Sequence, residues 1–358
     1  MAAKLRLGVV FGGRSVEHEV SVMSAMDVMR AADPERFEAV PFGVTRDGRW
    51  LTPAETRAQL ERPDAPFKKR LDAGVPQLLE RREVLEELRR VDVVFPLVHG
   101  VNGEDGTLQG MLEMFGLPYC GCGVTASAVG MDKALQKQIF RAAGLKVARH
   151  LTVRAHEWGG GSEEVARGVE AELGYPAFVK PSNGGSSVGV SSVRSREDLG
   201  EAMRAAFALD RKVLVEERVR GREVECAVLG NDDAKASPVG EIVPAGEFYD
   251  YTAKYLDESA RLIAPADLPA ATAEEVRTDA VRAFRAIDGA GFARVDFFVT
   301  EERGAVVNEV NTLPGFTPIS MFPRLWQLAG TTYRELISRI VDLALERCMA
   351  RSARDARG

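Results

Sequence analysis

Cysteine and histidine are scarce in this chain, four of each in 358 residues, and tryptophan scarcer still at three. So few cysteines cannot staple a chain of this size with disulfides. Cys120 and Cys122 form a C-x-C in a glycine-rich stretch with no partners at zinc-site spacing, so an inert thiol is the simpler reading. With four histidines, a Ser/His/Asp or Cys/His nucleophile set has little support. No apolar run approaches the roughly 20 residues that cross a bilayer, which leaves no expected membrane partner. Met1-Ala2-Ala3-Lys4-Leu5 enters a strand pattern directly, without a signal-peptide layout, so a cytoplasmic protein is expected. An excess of positive charge is also missing. The net charge is −6 and basic residues are spread along the chain, which argues against a nucleic-acid surface. Lys68-Lys69-Arg70 reads as solvated surface.

What remains is ordinary globular material, 45% hydrophobic and 28% charged, long enough for two or three domains. The first third alternates strand and helix signals. Leu5–Phe11, Phe37–Val44 and Val91–Val98 read as strands and Val20–Arg30 as a helix, the pattern of a doubly wound parallel sheet. Ligands of such sheets bind beyond the C-terminal strand ends, which points to residues 12–19 and 99–106. From about 130 the pattern becomes α+β. A helix is expected over Asp132–Ala143, strands at Tyr175–Lys180, Val190–Val193 and Lys212–Glu217, and a helix at Arg196–Leu209. Beyond 218, strands are expected at Glu223–Leu229, Val239–Val243, Gly291–Val299 and Ala305–Val310, with helices at Ala273–Asp288 and Thr332–Arg347. The polar and aromatic stretch 244–265 has little regular pattern, and a loop of that length is usually functional, often a lid.

The strongest chemical signal lies in the last pair of strands. Arg294 and Asp296 are two apart on one, Glu309 and Asn311 two apart on the next, so each pair projects from one face of its strand. Pairing the strands gathers two carboxylates, an amide and a guanidinium. The oxygens suit a hard cation such as Mg²⁺, and the arginine would oppose it across the site, facing an anion or developing oxyanion. A cross-strand salt bridge on a solvated sheet is the plainer alternative.

Other segments carry weaker signals. Val179 to Val190, with Lys180 at a strand end followed by Ser186, Ser187 and several glycines, can cradle phosphate through backbone N–H groups and hydroxyls, or be a flexible hairpin. Met131-Asp132-Lys133 offers a second cation at a helix start. Glu216 and Glu217 end an apolar strand whose backbone edge could take an adenine, while a carboxylate accepts ribose or amino hydrogens; Glu223 is similar. Glu17, after Gly12-Gly13, suits a substrate ammonium, or favours a helix N-terminus. His99 orients a substrate or makes a structural hydrogen bond.

In order along the chain, GGRSVEHEVS, PLVHGVNGEDGTLQG, MDK, FVKPSNGGSSVGV, FYDYTAKY, RVDFF and NEVNTLPGFTPISM resemble the D-alanine–D-alanine ligases of the ATP-grasp superfamily. The resemblance spans nearly the whole chain. It implies three domains: 1–129, with the doubly wound sheet, then 130–217 and 218–358, two α+β units clamping ATP. It implies that Lys133, Lys180 and Ser187 contact the phosphates, and that Lys254 on the 244–265 loop reaches the γ-phosphate. Glu216, the backbone of Glu217 and Val219, and Glu223 would hold adenine and ribose. Asp296, Glu309 and Asn311 would bind two Mg²⁺ or Mn²⁺. Glu17 would hold the ammonium of the first D-alanine, linked through Ser186 and Tyr255; His99 would also contact substrate. Arg294 would stabilise the tetrahedral oxyanion, and Ser320 with the Met321 backbone would seat the second carboxylate. The implied activity is ATP-dependent formation of D-alanyl-D-alanine through an acyl phosphate, in peptidoglycan precursor synthesis, by a homodimer. D-Alanyl-D-lactate or D-alanyl-D-serine synthesis on the same fold is the alternative. Glu217 stands where the family often has lysine, and Met321 where it often has leucine.

Overall fold

The computed structural model describes residues 3–61, 81–243 and 261–355. In chain order it places β1 (Leu5–Gly12), α1 (His18–Ala31), β2 (Phe37–Val44), α2 (Pro53–Leu60), α3 (Arg82–Leu88), β3 (Val93–Pro96), α4 (Thr107–Met114), α5 (Val124–Met131) and α6 (Lys133–Ala142). Then come β4 (His150–Arg154), α7 (Ala155–Glu172), β5 (Ala177–Pro181), β6 (Ser191–Val193), α8 (Arg196–Phe207) and β7 (Lys212–Glu217). The last part holds β8 (Arg222–Leu229), β9 (Lys235–Val243), β10 (Arg261–Ile263), α9 (Ala270–Ala286), β11 (Phe292–Thr300), β12 (Gly304–Asn311), α10 (Met321–Leu328) and α11 (Tyr333–Asp355).

The first sheet is parallel, in the order β2-β1-β3. Its strands are apolar on both faces because both are covered: α1 sits over Leu7, Val9 and Phe11, while α3 and α4 cover Val10, Val40 and Phe42. This is the expected doubly wound arrangement. Two antiparallel sheets follow, β4-β7-β5-β6 and β10-β9-β8-β11-β12.

The sequence reading does not give α2 to α5, β4 or α10, and two further segments run against it. Residues 155–172 are helical, although the Gly159-Gly160-Gly161 run hides the periodicity; the backbone leaves helical geometry at Gly161. Residues 261–263, expected within the long loop, pair antiparallel with Glu241–Val243 as β10. The rest of that loop, residues 244–260 with Lys254 and Tyr255, lies outside the described residues, as do Lys68, Lys69 and Arg70.

A bulge in β12 positions the site. Asp296 pairs with Glu309 but Phe297 pairs with Val307, so Asn308 is the extra residue. It resets the alternation of side chains. Ala305 and Val307 join Val295 and Phe297 in the core, yet Glu309 and Asn311, two and four residues further on, face away from it. β12 is an edge strand, and α6 covers it: the Val310 amide donates to Gln136 Oε1 at 2.8 Å.

Candidate active site

The expected cross-strand pairing is present in register. Arg294 lies opposite Asn311, and Asp296 opposite Glu309. On its other side Asp296 faces Glu225 of β8, so three carboxylates cross adjacent strands in a row. Glu225 was missed in the sequence, although its spacing of two from Glu223 was a signal that both share a strand face.

Arg294 does not oppose this row from across the site. It donates to both Asp296 oxygens, at 2.7 and 2.8 Å, and stands 3.1 Å from Glu225. Three clustered carboxylates repel one another, and the nearest guanidinium relieves that repulsion with a two-pronged contact. Asn311 also donates to Asp296, at 2.9 Å. Among the described residues, no three His, Cys, Asp or Glu groups stand together at metal-ligating spacing.

A cleft of about 690 Å³ opens in front of this face. It gathers Arg294, Glu309 and Asn311 from the sheet with Glu17, His99 and Glu104 from the ends of β1 and β3. Lys133, Ser186, Ser320 and Met321 line it as well. Both strand-end segments singled out from the sequence therefore reach it.

Glu17 begins α1 but makes no side-chain cap bond, so helix capping does not account for it. Its carboxylate instead reaches the 182–190 loop, where a Cβ added to Gly185 would stand 3.4 Å from Oε2. Ser186 and Ser187 both adopt positive φ, +50° and +57°, a costly backbone for non-glycine residues. The Ser186 hydroxyl is buried and has no hydrogen-bond partner among the described residues.

His99 Nδ1 lies 3.0 Å from the Leu313 carbonyl. A carbonyl only accepts, so Nδ1 carries the proton, and burial, opposed by the Glu17 charge and this bond, lowers the pKa. The ring is therefore neutral, with Nε2 left as an acceptor. The structural hydrogen bond and a place in the cleft wall coexist. Glu104, another residue missed in the sequence, accepts from the Gly100 amide at 2.7 Å. Burial, together with the Glu17 charge, pushes its carboxyl up to about 8.

The lysines and the strand-end acids arrange themselves otherwise. Lys133 donates to the Gly184 carbonyl at 2.6 Å and stands 3.1 Å from Glu309. Lys180 pairs with one oxygen of Glu216, and Lys137 with the other at 2.7 Å. The Glu216 carboxylate, expected to hold adenine or ribose, is buried here and meets both ammonium groups. Glu217 is bound by Arg149 and Arg303 on its side chain, and its amide donates to the Arg149 carbonyl. Only its carbonyl remains for a base. Val219 is half-buried in the loop that follows, and Glu223 is half-buried on β8; neither lines the cleft. Ser320 precedes α10, its hydroxyl 2.7 Å from that of Thr317, and Met321 is buried against Gly240.

The arrangement offers an anion-friendly helix start at α10, a carboxylate for a cation at Glu17, and a charged sheet face between them. Comparison with known proteins agrees with that chemistry. Residues 6–122 match the family model for the D-ala D-ala ligase N-terminus, and residues 139–342 that for the C-terminus. A D-alanine--D-alanine ligase of Geobacillus thermodenitrificans is 48% identical over 350 residues, covering 96% of each chain. The D-alanine-D-alanine ligase structure from Coxiella burnetii aligns with a TM-score of 0.82 at 34% identity, covering 98% of this chain and 97% of that one. VanG D-Ala:D-Ser ligase from Enterococcus faecalis aligns at 0.79 and 33%, covering 96% and 100%. Motifs, fold and sequence likeness converge, and the chain belongs to the D-alanine–D-alanine ligase family.

Proposed function

We propose that this protein joins two D-alanine molecules to D-alanyl-D-alanine at the expense of ATP, as its nearly full-length relatives are named for doing. The observation that carries the reading is the cleft that Glu17, Arg294, Glu309 and Asn311 line together, with Asp296 paired to Arg294 and opposite Glu309 on the same sheet face. The carboxylate of the first D-alanine attacks the γ-phosphorus of ATP; an acyl phosphate forms and ADP leaves. The amine of the second attacks the acyl carbon, and phosphate departs with the electron pair of the broken C–O bond.

Glu17 holds the ammonium of the first substrate, next to Ser186 on the loop beyond β5. His99, neutral, contributes an acceptor to the same wall. Ser320 and the Met321 amide, at the start of α10, seat the second carboxylate where the helix dipole favours it. Arg294 moves its guanidinium from Asp296 toward the oxyanion of the tetrahedral intermediate. Lys133, Lys180, Ser187 and Lys254 meet the phosphates, while the Glu217 carbonyl, the Val219 backbone and Glu223 take the base and ribose. Tyr255 completes the set that begins with Glu17 and Ser186.

Two carboxylates and an amide at register-paired positions on one sheet face fit Mg²⁺ or Mn²⁺ by the chemistry of their oxygens, and Asp296, Glu309 and Asn311 would hold it. When bound, such ions neutralise phosphate charge. The nucleotide lies between the second and third domains, at 130–217 and 218–358. Cytoplasmic ATP and assembly as a homodimer belong to the same proposal.

The test is ADP release that depends on D-alanine, with the product identified by mass. D-Serine and D-lactate compete as second substrates across pH, because likeness to VanG makes D-serine the alternative to measure. No D-alanine-dependent release in the presence of Mg²⁺ would overturn the ligase reading.

A further inference from the structure

Lys137 has no part in the chemistry above, yet it is fully buried, with a side-chain exposure of 0%. It follows Lys133 by one turn of α6, on the same face. Its ammonium stands 2.7 Å from Glu216 Oε1 and donates to the Asn308 carbonyl, at the β12 bulge, at 3.2 Å. Lys180 takes the second Glu216 oxygen. One carboxylate thus sits between two ammonium groups supplied by α6 and β5, with a third element, β12, held by the same lysine. Burial raises the Glu216 carboxyl, but the charges and hydrogen bonds of Lys137 and Lys180 outweigh it and hold the group at about 2. Burial lowers the Lys137 ammonium while the Glu216 charge opposes it, so the 2.7 Å approach and the shared carboxylate carry the pairing.

We propose that Lys137 is a positioning residue for nucleotide binding: it keeps Glu216 charge-balanced and tied to the β12 bulge, so that Lys180 can leave the carboxylate for the phosphates of ATP. The proposal rests on the reading that Lys180 meets those phosphates. Its physical basis is the cost of an unpaired charge in the interior. With Lys137 in place, departure of Lys180 leaves Glu216 still paired. Without it, Lys180 would be the sole counter-ion of a buried carboxylate, and moving it to phosphate would strand that charge.

The experiment compares Lys137→Met, Lys180→Met and the double variant in the full chain, by steady-state kinetics with ATP and D-alanine varied in turn. Lys137→Met is expected to raise the KM for ATP about 10-fold while the KM for D-alanine and kcat stay within about twofold. In the Lys180→Met background the same change is expected to leave the KM for ATP where Lys180→Met alone puts it, because its effect on binding runs through Lys180, while stability falls because Glu216 then has neither ammonium. An unchanged KM for ATP, additive effects, or equal rises in both KM values would overturn the proposal. If Lys180→Met itself leaves the KM for ATP unchanged, the phosphate role of Lys180 fails and the proposal falls with it. That outcome is distinct from one in which only Lys137→Met is silent. Should Lys137→Met not fold, Lys137→Gln keeps a donor for the Asn308 carbonyl and loses only the charge. It is expected to raise the KM for ATP by a similar factor; an unchanged KM would equally overturn the proposal.

Discussion

At the scale of single residues, the charged face of β11 and β12 sets the expectations. Glu309→Gln keeps shape and loses charge, and it is expected to lower turnover by roughly 10²-fold or more while the thermal transition stays in place. ADP release and a melting curve on the same sample check both halves; near-normal turnover would remove Glu309 from the metal set. Glu104 yields a further expectation. Its carboxyl rises from 4.5 to about 8 through burial and the charge of Glu17. Between those values the folded chain keeps a proton that the unfolded chain has released, so this group lowers stability as pH rises through the window and contributes no further change above it. Glu104→Gln removes that loss. The melting temperature of the variant relative to the parent is expected to grow by about 2–5 °C from pH 5 to pH 8.5. A constant difference would show that Glu104 titrates normally. Much of this site could be read from spacing alone, since two pairs of residues two apart gave both the face and its charges. Glu225 and Lys137 were missed for different reasons. Glu225 had its signal in the alternation with Glu223. Lys137 has the pattern of a surface lysine, because nothing in the chain says that Glu216, far along it, will be buried against that ammonium.

At the scale of elements, α6 joins the parts of the site. Asp132 caps it by accepting from the Leu135 amide, accepts from the Ser182 hydroxyl at 2.7 Å, and pairs with Lys212. Asp132→Ala therefore loses a cap and leaves a half-buried lysine unpaired. A loss of about 2 kcal/mol or more is expected, measured by urea unfolding with the ATP dependence of turnover followed alongside. A loss under about 0.5 kcal/mol would mean the cap is replaced by water. Strands and helices with unbroken apolar patterns were legible, and Lys212–Glu217 coincides at both ends. The helix at 155–172 was not, because three successive glycines have the local character of a loop. Packing of Ala166 and Val169 against the second sheet overrides that local weakness.

For the molecule as a whole, one core crosses the chain from end to end. Leu7, Phe11 and Phe95 of the parallel sheet pack with Phe292, Phe316, Phe322 and Trp326. The rings of Phe95, Phe292, Phe316 and Phe322 stand 5.3–6.2 Å apart where they meet. Phe316→Ala is expected to cost about 3–5 kcal/mol. It should shift together the unfolding signals of residues before 130 and after 220, followed by hydrogen exchange on peptides from each part. Independent transitions would show that the two regions fold separately. This long-range core could not be read from sequence, because its members lie about two to three hundred residues apart and each has the pattern of an ordinary apolar position in its own element.

The extra residue in β12 has a consequence for how this segment can change. Any side chain at position 308 leaves the alternation intact, so replacements there should be absorbed. Removing the residue would make Val307 and Glu309 neighbours, and neighbours on a strand face opposite ways, so Val307 and Val310 would stay in the core and Glu309 and Asn311 in the cleft. What a deletion would take away is the Asn308 carbonyl that Lys137 holds, so the insertion serves the helix beside the strand and not the order of its side chains.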